Sequence, residues 1–106
     1  MATIWKFPIE LRDEFMLEMP RDAELLFVAA QNDMGCLWAR VVPGRQTELR
    51  KFKLRGTGHE VDTACDYVGS FMSRGGSLVF HLFEDRQGPG HRIEEARARK
   101  LETGGT

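Results

Sequence analysis

The chain has 106 residues, of which 42% are hydrophobic and 29% charged, and its net charge is −1 at pH 7. This composition is typical of a soluble globular protein, and a chain of this length forms one domain that buries roughly two-thirds of its unfolded surface. The near-zero charge excludes a global field that would steer the protein toward nucleic acid or an anionic membrane. Any such binding therefore requires a local patch of charge.

The N-terminal segment, residues 1–8, lacks the basic region, apolar core and small-residue cleavage site of a signal peptide. The longest unbroken apolar run, residues 25–30, is far shorter than the roughly 20 residues of a membrane-spanning helix. We therefore expect a cytoplasmic protein with no membrane partner. In a reducing compartment, Cys36 and Cys65 are expected to be free thiols rather than a disulfide.

Residues 3–19 alternate apolar and polar positions, which predicts two short strands joined by a polar turn at residues 12–14. The apolar positions of the first strand run to Leu11. Pro8 lacks an N–H donor and is therefore placed at a sheet edge or a bend. A helix over residues 11–19 is the alternative, because three apolar residues there are spaced by four, but we favour strands.

Residues 20–23 have turn chemistry and lead into residues 24–31, a run that is apolar on both faces. A polar turn at residues 32–35 separates this run from a returning strand at residues 36–42. The pattern predicts a β-hairpin.

Residues 49–55 alternate basic and apolar side chains, which predicts a half-buried strand whose outer face carries Lys51, Lys53 and Arg55. With neighbouring arginines they form a basic stripe that could meet phosphates or an acidic protein surface. The members of this stripe are Arg45, Arg50, Lys51, Lys53 and Arg55. The simpler interpretation is a solvated face whose lysines discourage edge-to-edge pairing.

The most site-like stretch is the loop made of Gly56, Thr57, Gly58 and His59. Two glycines let the backbone approach a ligand, and exposed amides with a threonine hydroxyl could hold an anion. The loop is neither a dinucleotide fingerprint nor a P-loop, because it lacks the third glycine and the Gly-Lys-Ser/Thr sequence. A tight connection with an exposed histidine is the simpler interpretation.

His59, Asp62 and Cys65 are spaced by three, which raises the hypothesis of a nucleophile or a metal site. A cysteine nucleophile needs a base that a third group orients, and a zinc site needs three or four ligands. The sequence offers too few ligands nearby, and His81 is more simply a hydrogen-bonded strand residue. We therefore expect no catalytic group, metal or cofactor.

Residues 65–84 contain two runs rich in aromatic and β-branched residues on either side of Gly75 and Gly76, which predicts a second hairpin. Its second strand is apolar on both faces, as an interior strand is. Residues 1–84 are thus predicted to form an all-β domain, a small sandwich or barrel of six to seven short antiparallel strands. Trp5 and Trp38 are expected in its core.

Residues 85–106 change abruptly in composition, with mixed charges, glycines and only two large apolar residues. This segment is predicted to be a flexible C-terminal tail that is marginally helical over residues 93–102.

Four sequence pieces resemble a family of short, functionally uncharacterised domains encoded by tailed phages and prophages. They are Ile-Trp-Lys-Phe-Pro-Ile-Glu at residues 4–10, Cys-Leu-Trp-Ala at 36–39, Gly-Thr-Gly-His at 56–59, and Tyr-Val-Gly-Ser-Phe leading to Gly-Gly-Ser-Leu-Val-Phe-His-Leu-Phe-Glu at 67–84. The resemblance covers residues 3–84 and transfers no site residues. It implies a small phage accessory protein in the host cytoplasm.

The leading functional hypothesis is therefore a non-enzymatic protein that binds a host protein stoichiometrically, for example an antiviral defence effector such as a CRISPR complex. An alternative is a module that binds a nucleotide or nucleic acid, including a cyclic nucleotide signal, through the 56–59 loop and the basic stripe. A small hydrolase using His59 and Cys65 is a third hypothesis. An exposed β edge would make a homodimer natural.

Overall fold

The computed structural model describes residues 1–86 and 91–92, and in these residues the chain forms strands and no helix. The strands are β1 Thr3–Pro8, β2 Glu14–Pro20, β3 Glu24–Gln31, β4 Met34–Val41, β5 Thr47–Gly56, β6 Cys65–Ser73, β7 Leu78–Asp85 and β8 His91–Arg92. The predicted all-β class is confirmed, and strand rather than helix is confirmed for β2. In the described part of the chain, no helix is long and apolar enough to cross a membrane.

The strands form two antiparallel sheets. Sheet A has three strands in the order β1-β4-β3, and sheet B has five, in the order β2-β5-β7-β6 with β8 also paired to β5. Both predicted hairpins are present as β3–β4 and β6–β7, and β7 lies between β5 and β6, which confirms the prediction of an interior strand. The architecture is therefore a small sandwich. Between β1 and β5 the chain passes from one sheet to the other three times, at residues 9–13, 21–23 and 42–46.

The first strand is shorter than predicted. β1 ends at Pro8, after which the N–H of Ile9 still donates to the carbonyl of Gly35 at 2.9 Å and the Ile9 side chain is buried. Leu11 lies in the bend that follows and is exposed. The alternation of apolar residues in the sequence extends past the end of β1 because Ile9 is buried at the end of the core although it lies outside the strand.

Backbone geometry accounts for the two hairpin turns. Asn32 and Asp33 both have positive φ, 53° and 64°, as a two-residue type I′ turn requires. Gly75 and Gly76 also have positive φ, and the Asp33 carboxylate accepts hydrogen bonds from the backbone N–H groups of Arg74 at 3.2 Å and Gly75 at 3.4 Å. The two hairpins are thus tied together at their tips.

The core lies between the inner faces of the two sheets. Its largest fully buried side chains are Met19, Leu37, Val41, Phe52 and Leu82. The rings of Phe15 and Phe52 stack across β2 and β5 with centroids 5.8 Å apart. Burial of each side chain of this size contributes about 1.5–3 kcal/mol relative to an exposed position.

The prediction that both tryptophans lie in the core is wrong for Trp5, which is 41% exposed, and Trp38 is only half-buried. Trp38 pairs with Lys6 and Phe27 in register, on the outer face of sheet A, because the inner positions of β4 are Leu37, Ala39 and Val41. Trp5 lies opposite Ala39 on the core-facing side, but its strand is at the edge of the sheet. The core-facing residues of β4 are instead the aliphatic Leu37 and Val41 and the small Ala39.

Sheet B continues past Glu84, the last residue of the predicted β domain. Asp85 completes β7, and β8 pairs His91 with Leu49 and Arg92 with Glu48. Sheet B therefore includes residues of the segment that the sequence predicts to be a tail. The predicted helical stretch at residues 93–102 lies outside the described residues.

At two glycines the opposite sheet packs directly against the backbone. A Cβ on Gly35 would lie 2.5 Å from Cζ of Phe71, and a Cβ on Gly69 would lie 2.6 Å from Cβ of Val28. Gly69 follows the irregularity in β6 where the register with β7 shifts. These positions hold glycine because the opposite sheet leaves no room for a side chain.

We expect Gly69→Ala to lower the free energy of unfolding by about 1–3 kcal/mol, the usual cost of forcing an extra methyl into a packed interior. Val28→Ala combined with Gly69→Ala should cost less than the two separate losses added together, because the smaller residue makes room. Met72→Ala on the exposed side of β6 is the control, with an expected change within about 0.5 kcal/mol. Urea unfolding measures all four variants, and strict additivity would contradict the packing explanation.

Candidate functional site: an apolar sheet face

The basic stripe predicted on β5 is split between two faces. Lys51, Lys53 and Arg55 lie on the outer face of sheet B as predicted, but Arg50 faces inward and is only 8% exposed. Arg45 lies in the loop before β5, about half exposed, with its guanidinium 3.8 Å from the carboxylate of Asp22. The alternation of the strand explains the correction, because an even-numbered residue of β5 shares the inner side with Phe52.

Arg50 forms a buried ion pair with Glu84 on the neighbouring part of β7. Its Nε lies 2.6 Å from Oε2 and its Nη2 lies 2.8 Å from Oε1, so the contact is bidentate. The remaining Nη1 donates to the carbonyl of Ala23 at 2.5 Å, just before β3. Arg50 is thus occupied by the protein interior, and the structure uses it to join sheet B to the start of β3.

The outward cations of β5 also have partners within the protein. Nζ of Lys53 lies 3.6 Å from the Asp85 carboxylate and 3.8 Å from that of Glu14, and Nζ of Lys51 lies 3.9 Å from Asp85. Arg55 donates to three carbonyl oxygens, those of Asp13 at 2.8 Å, Glu60 at 2.9 Å and Leu54 at 3.0 Å. This face therefore presents charges that are largely matched by its own carboxylates and carbonyls.

The structure brings Thr57 of the predicted loop to His81 of β7. Thr57 Oγ1 lies 2.9 Å from Nε2 of His81, Ser70 Oγ lies 2.8 Å from Nδ1, and the Tyr67 hydroxyl lies 2.8 Å from Ser70 Oγ. His59 instead turns back and accepts a hydrogen bond from the N–H of Gly56 at 3.2 Å. These hydrogen bonds attach the 57–64 connection to sheet B. Hydroxyl groups of Thr57 and Ser70 contact the two nitrogens of the His81 imidazole, whereas a carboxylate orients the imidazole in a catalytic triad.

The hypothesis that joins His59, Asp62 and Cys65 gains no geometric support. Asp62 accepts a hydrogen bond from the N–H of Ala64 at 2.9 Å and shapes the turn before β6. Burial raises the pKa of the Cys65 thiol, Lys53 lowers it less, and Asp85 raises it further, so the reactive thiolate is disfavoured. Cys36 and Cys65 are free thiols, and within residues 1–86 no cluster of three potential metal ligands occurs.

A different surface stands out, and the sequence analysis missed it: the outer face of sheet A. Phe27 and Trp38 lie side by side at its centre, with ring centroids 5.8 Å apart, and Phe27 is 60% exposed. Ile4 and Met34 extend the apolar surface toward opposite ends of the face and are similarly exposed. The sequence contained the information needed to find this face. A two-residue turn at 32–33 fixes the register of the hairpin, which places Phe27 opposite Trp38 and on the face away from buried Leu37.

An apolar groove continues this face beyond the end of β1. It has a volume of about 370 Å³ and is lined mainly by Pro8, Ile9, Leu11, Met34 and Gly35. Pro8 and Met34 belong to both the groove and the outer face of sheet A. The groove is large enough for one or two apolar side chains of another molecule.

The edge of the apolar face is polar but internally paired. Arg40 forms an ion pair with Glu24, and Nζ of Lys6 donates to the side-chain carbonyl of Gln31 at 2.6 Å. We define the apolar face by four residues, Phe27 and Trp38 at its centre and Ile4 and Met34 toward its ends. An apolar centre with a polar rim is the usual anatomy of a protein–protein interface.

Comparison with known families agrees with the uncharacterised character that the sequence suggested. The family model of a domain of unknown function, DUF7352, matches residues 1–92. The match extends past the resemblance at residues 3–84 and ends with β8. No curated protein and no solved structure gives a significant match to the chain.

We expect Glu84→Gln to lower the free energy of unfolding by about 3–5 kcal/mol, because it leaves the Arg50 guanidinium buried without a counter-charge. Replacing both partners, Arg50→Met with Glu84→Leu, should cost much less, since no charge then remains inside. Asp66→Asn is the matched control: it removes a carboxylate that pairs with exposed Arg86, where about 0–1 kcal/mol is expected. Urea unfolding gives the three values, and equal losses for Glu84→Gln and Asp66→Asn would contradict the buried pair's importance.

Proposed function

The chain belongs to the DUF7352 family of domains of unknown function, and we propose that it is a non-enzymatic protein-binding domain whose docking surface is the apolar face of sheet A. The observation that carries the proposal is the aromatic pair at the centre of that face, in which Phe27 is exposed and Trp38 is half-buried. Aromatic residues are enriched at the energetic centres of protein interfaces, where they contribute most of the binding free energy.

The exposure of large apolar side chains on the apolar face supports a role for this face in binding, because exposed apolar surface is unfavourable in water. Phe27, Ile4 and Met34 are each about 60% exposed on one continuous side of a three-stranded sheet. Large apolar side chains that share an exposed sheet face mark a candidate interaction site. The adjoining groove at Pro8 and Leu11 offers a pocket for an anchoring side chain of the partner.

Charge defines the chemistry of the partner. The rim of the face is already neutralised by the Arg40–Glu24 pair and by the Lys6–Gln31 hydrogen bond. Phosphates would gain little there, whereas an apolar protein surface of low net charge would lose little on desolvation. We therefore assign the face to a protein partner.

The specific partner follows from the resemblance described above. We propose that the protein is encoded by a phage or prophage and blocks a host protein by occupying its surface, with an antiviral defence effector as the leading candidate. A single small domain acting in the host cytoplasm by one-to-one binding needs no reactive group. The internally bonded His81 and the raised pKa of Cys65 are compatible with this mode of action.

The alternative, a nucleotide or nucleic-acid ligand at the 56–59 loop, receives less support. Arg55 is bonded to backbone carbonyls, Lys53 contacts two carboxylates, and Thr57 is bonded to His81. A phosphate would have to displace these partners.

A panel of nucleotides, including cyclic ones, tests this alternative. We expect no rise in melting temperature, since the candidate cations and the Thr57 hydroxyl are already engaged and a ligand stabilises the fold only by binding it. A rise that depends on ligand concentration and is lost in Thr57→Ala would favour the nucleotide hypothesis. Ser77→Ala, in the remote β6–β7 turn, is the matched control for the loss of a hydroxyl.

Phe27→Ser should abolish recovery of a host partner in a pull-down from phage-host lysate, because it removes the central anchor of the apolar face. The expected loss in affinity is about 10–100-fold, the usual effect of truncating an interface hot spot. Tyr67→Ser is the control, since Tyr67 is equally exposed but lies on sheet B. Circular dichroism confirms that both variants are folded.

A photo-reactive amino acid at position 27 should cross-link the same partner in one-to-one ratio, whereas the same group at position 67 should not. A partner that Phe27→Ser retains and Tyr67→Ser loses would contradict the assignment of the face. Lys51→Ala gives a further comparison, because it changes the basic stripe without breaking the contacts of Lys53 and Arg55.

A further inference from the structure

β1 is an edge strand whose free side has a defined hydrogen-bonding pattern. It pairs with β4 in sheet A, and no other strand of residues 1–86 or 91–92 pairs with it. The N–H of Ile9 donates to the carbonyl of Gly35, so the odd-numbered residues of this segment direct their backbone groups toward β4. The even-numbered residues therefore direct theirs away from the sheet, where Pro8 has no N–H to leave unpaired.

The side chains of β1 are unusually apolar for a free edge. Trp5 is 41% exposed although it lies on the core-facing side opposite Ala39, and its ring contacts that of Phe7 with centroids 6.4 Å apart. Ile4, on the outer side, is 59% exposed. The edge thus carries apolar surface on both of its faces, with Lys6 as its one charged residue.

We propose that β1 pairs antiparallel with β1 of a second copy of this chain, across a two-fold axis that passes beside Trp5. The inference concerns the edge of sheet A and does not depend on the proposed function of its face. In this arrangement Trp5 lies opposite Trp5 of the second copy, and Ile4 lies opposite Lys6. The result is one continuous sheet of six strands, three from each copy.

The hydrogen-bonding pattern and charge select this register. Residues directly opposite each other in an antiparallel sheet share a face, so the axis must pass beside a residue rather than between two residues. An axis beside Lys6 would place two ammonium groups opposite each other, which is repulsive. An axis beside Ile4 would leave Phe7 beyond the paired segment, whereas an axis beside Trp5 pairs residues 3–7 along their full length.

The Trp5-centred register also uses the free backbone groups. Ile4 and Lys6 both direct N–H and C=O outward, and each would exchange two hydrogen bonds with its partner residue across the axis. Trp5 then occupies a non-hydrogen-bonded position, where opposite side chains lie closest and aromatic pairs stabilise a sheet. The exposed indole would be covered by its symmetry mate.

Sedimentation velocity on the full chain tests the proposal. We expect a concentration-dependent transition to a species with twice the 12.1 kDa mass of one chain. Lys6→Pro should abolish it, because proline removes an outward N–H and places its ring on the free edge, as Pro8 already does without disturbing β4. Lys6→Ala, which retains the N–H, should remain dimeric.

A cross-linking experiment checks the register and covers the case in which Lys6→Pro does not fold. In a Cys65→Ser background, Trp5→Cys should form an intermolecular disulfide on mild oxidation, because directly opposite non-hydrogen-bonded positions have suitable Cα separation. Lys6→Cys should cross-link much more slowly, since its opposite residue is Ile4. A chain that is monomeric throughout would overturn the proposal, as would a dimer that survives Lys6→Pro or cross-links equally through both cysteines.

Discussion

The buried ion pair between Arg50 and Glu84 is the contact on which the arrangement of the two sheets depends. It joins β5 to β7 within sheet B, and through the carbonyl of Ala23 it reaches the residue that precedes β3 of sheet A. A guanidinium can satisfy three acceptors in one plane, which a lysine in the same place could not do. The side chains of Arg50 and Glu84 are only 10% and 8% exposed, which makes the attraction between them stronger than that of a surface ion pair.

Because Arg50 is buried and paired, fewer basic residues are available at the protein surface than the sequence suggests. Five basic residues near β5 suggest an anion-binding surface, yet Arg50 lies in the interior and Arg55 supports the connections around Asp13 and Glu60. The contacts of Lys53 with Glu14 and Asp85 neutralise much of what remains. The charges near β5 are therefore paired within the protein, whereas the outer face of sheet A leaves large apolar side chains exposed to solvent.

The composition of sheet A underlies both the proposed docking face and the proposed dimer edge. It has three strands against five in sheet B, and β4 at its centre supplies small or aliphatic inner residues that fill the core. The larger aromatic residues of sheet A are displaced to its outer face, as Trp38 is, or to its edge, as Trp5 is. The two proposed partners, a host protein on the face and a second copy at the edge, would each cover part of this surface.

The features that could be predicted from the sequence are those that depend on residues close together in the chain. Hairpins were predictable because turn residues such as Asn32 and Gly76 adopt positive φ where the alternating runs meet. The outward position of Lys51, Lys53 and Arg55 was predictable from a period of two. The inward position of Arg50 follows from the same period, but recognising it as a buried ion pair required Glu84, which is 34 residues away.

The amino-acid sequence by itself therefore determined most of the strands, the two hairpins and the face of β5 on which each side chain lies, since these depend on neighbours in the chain. Only the tertiary structure decided that β1 and β2 enter different sheets, that Thr57 meets His81 while His59 does not, and that Phe27 and Trp38 remain outside. The physical reason is that a strand's pattern distinguishes its two faces, whereas which face is covered depends on the sheet that packs against it.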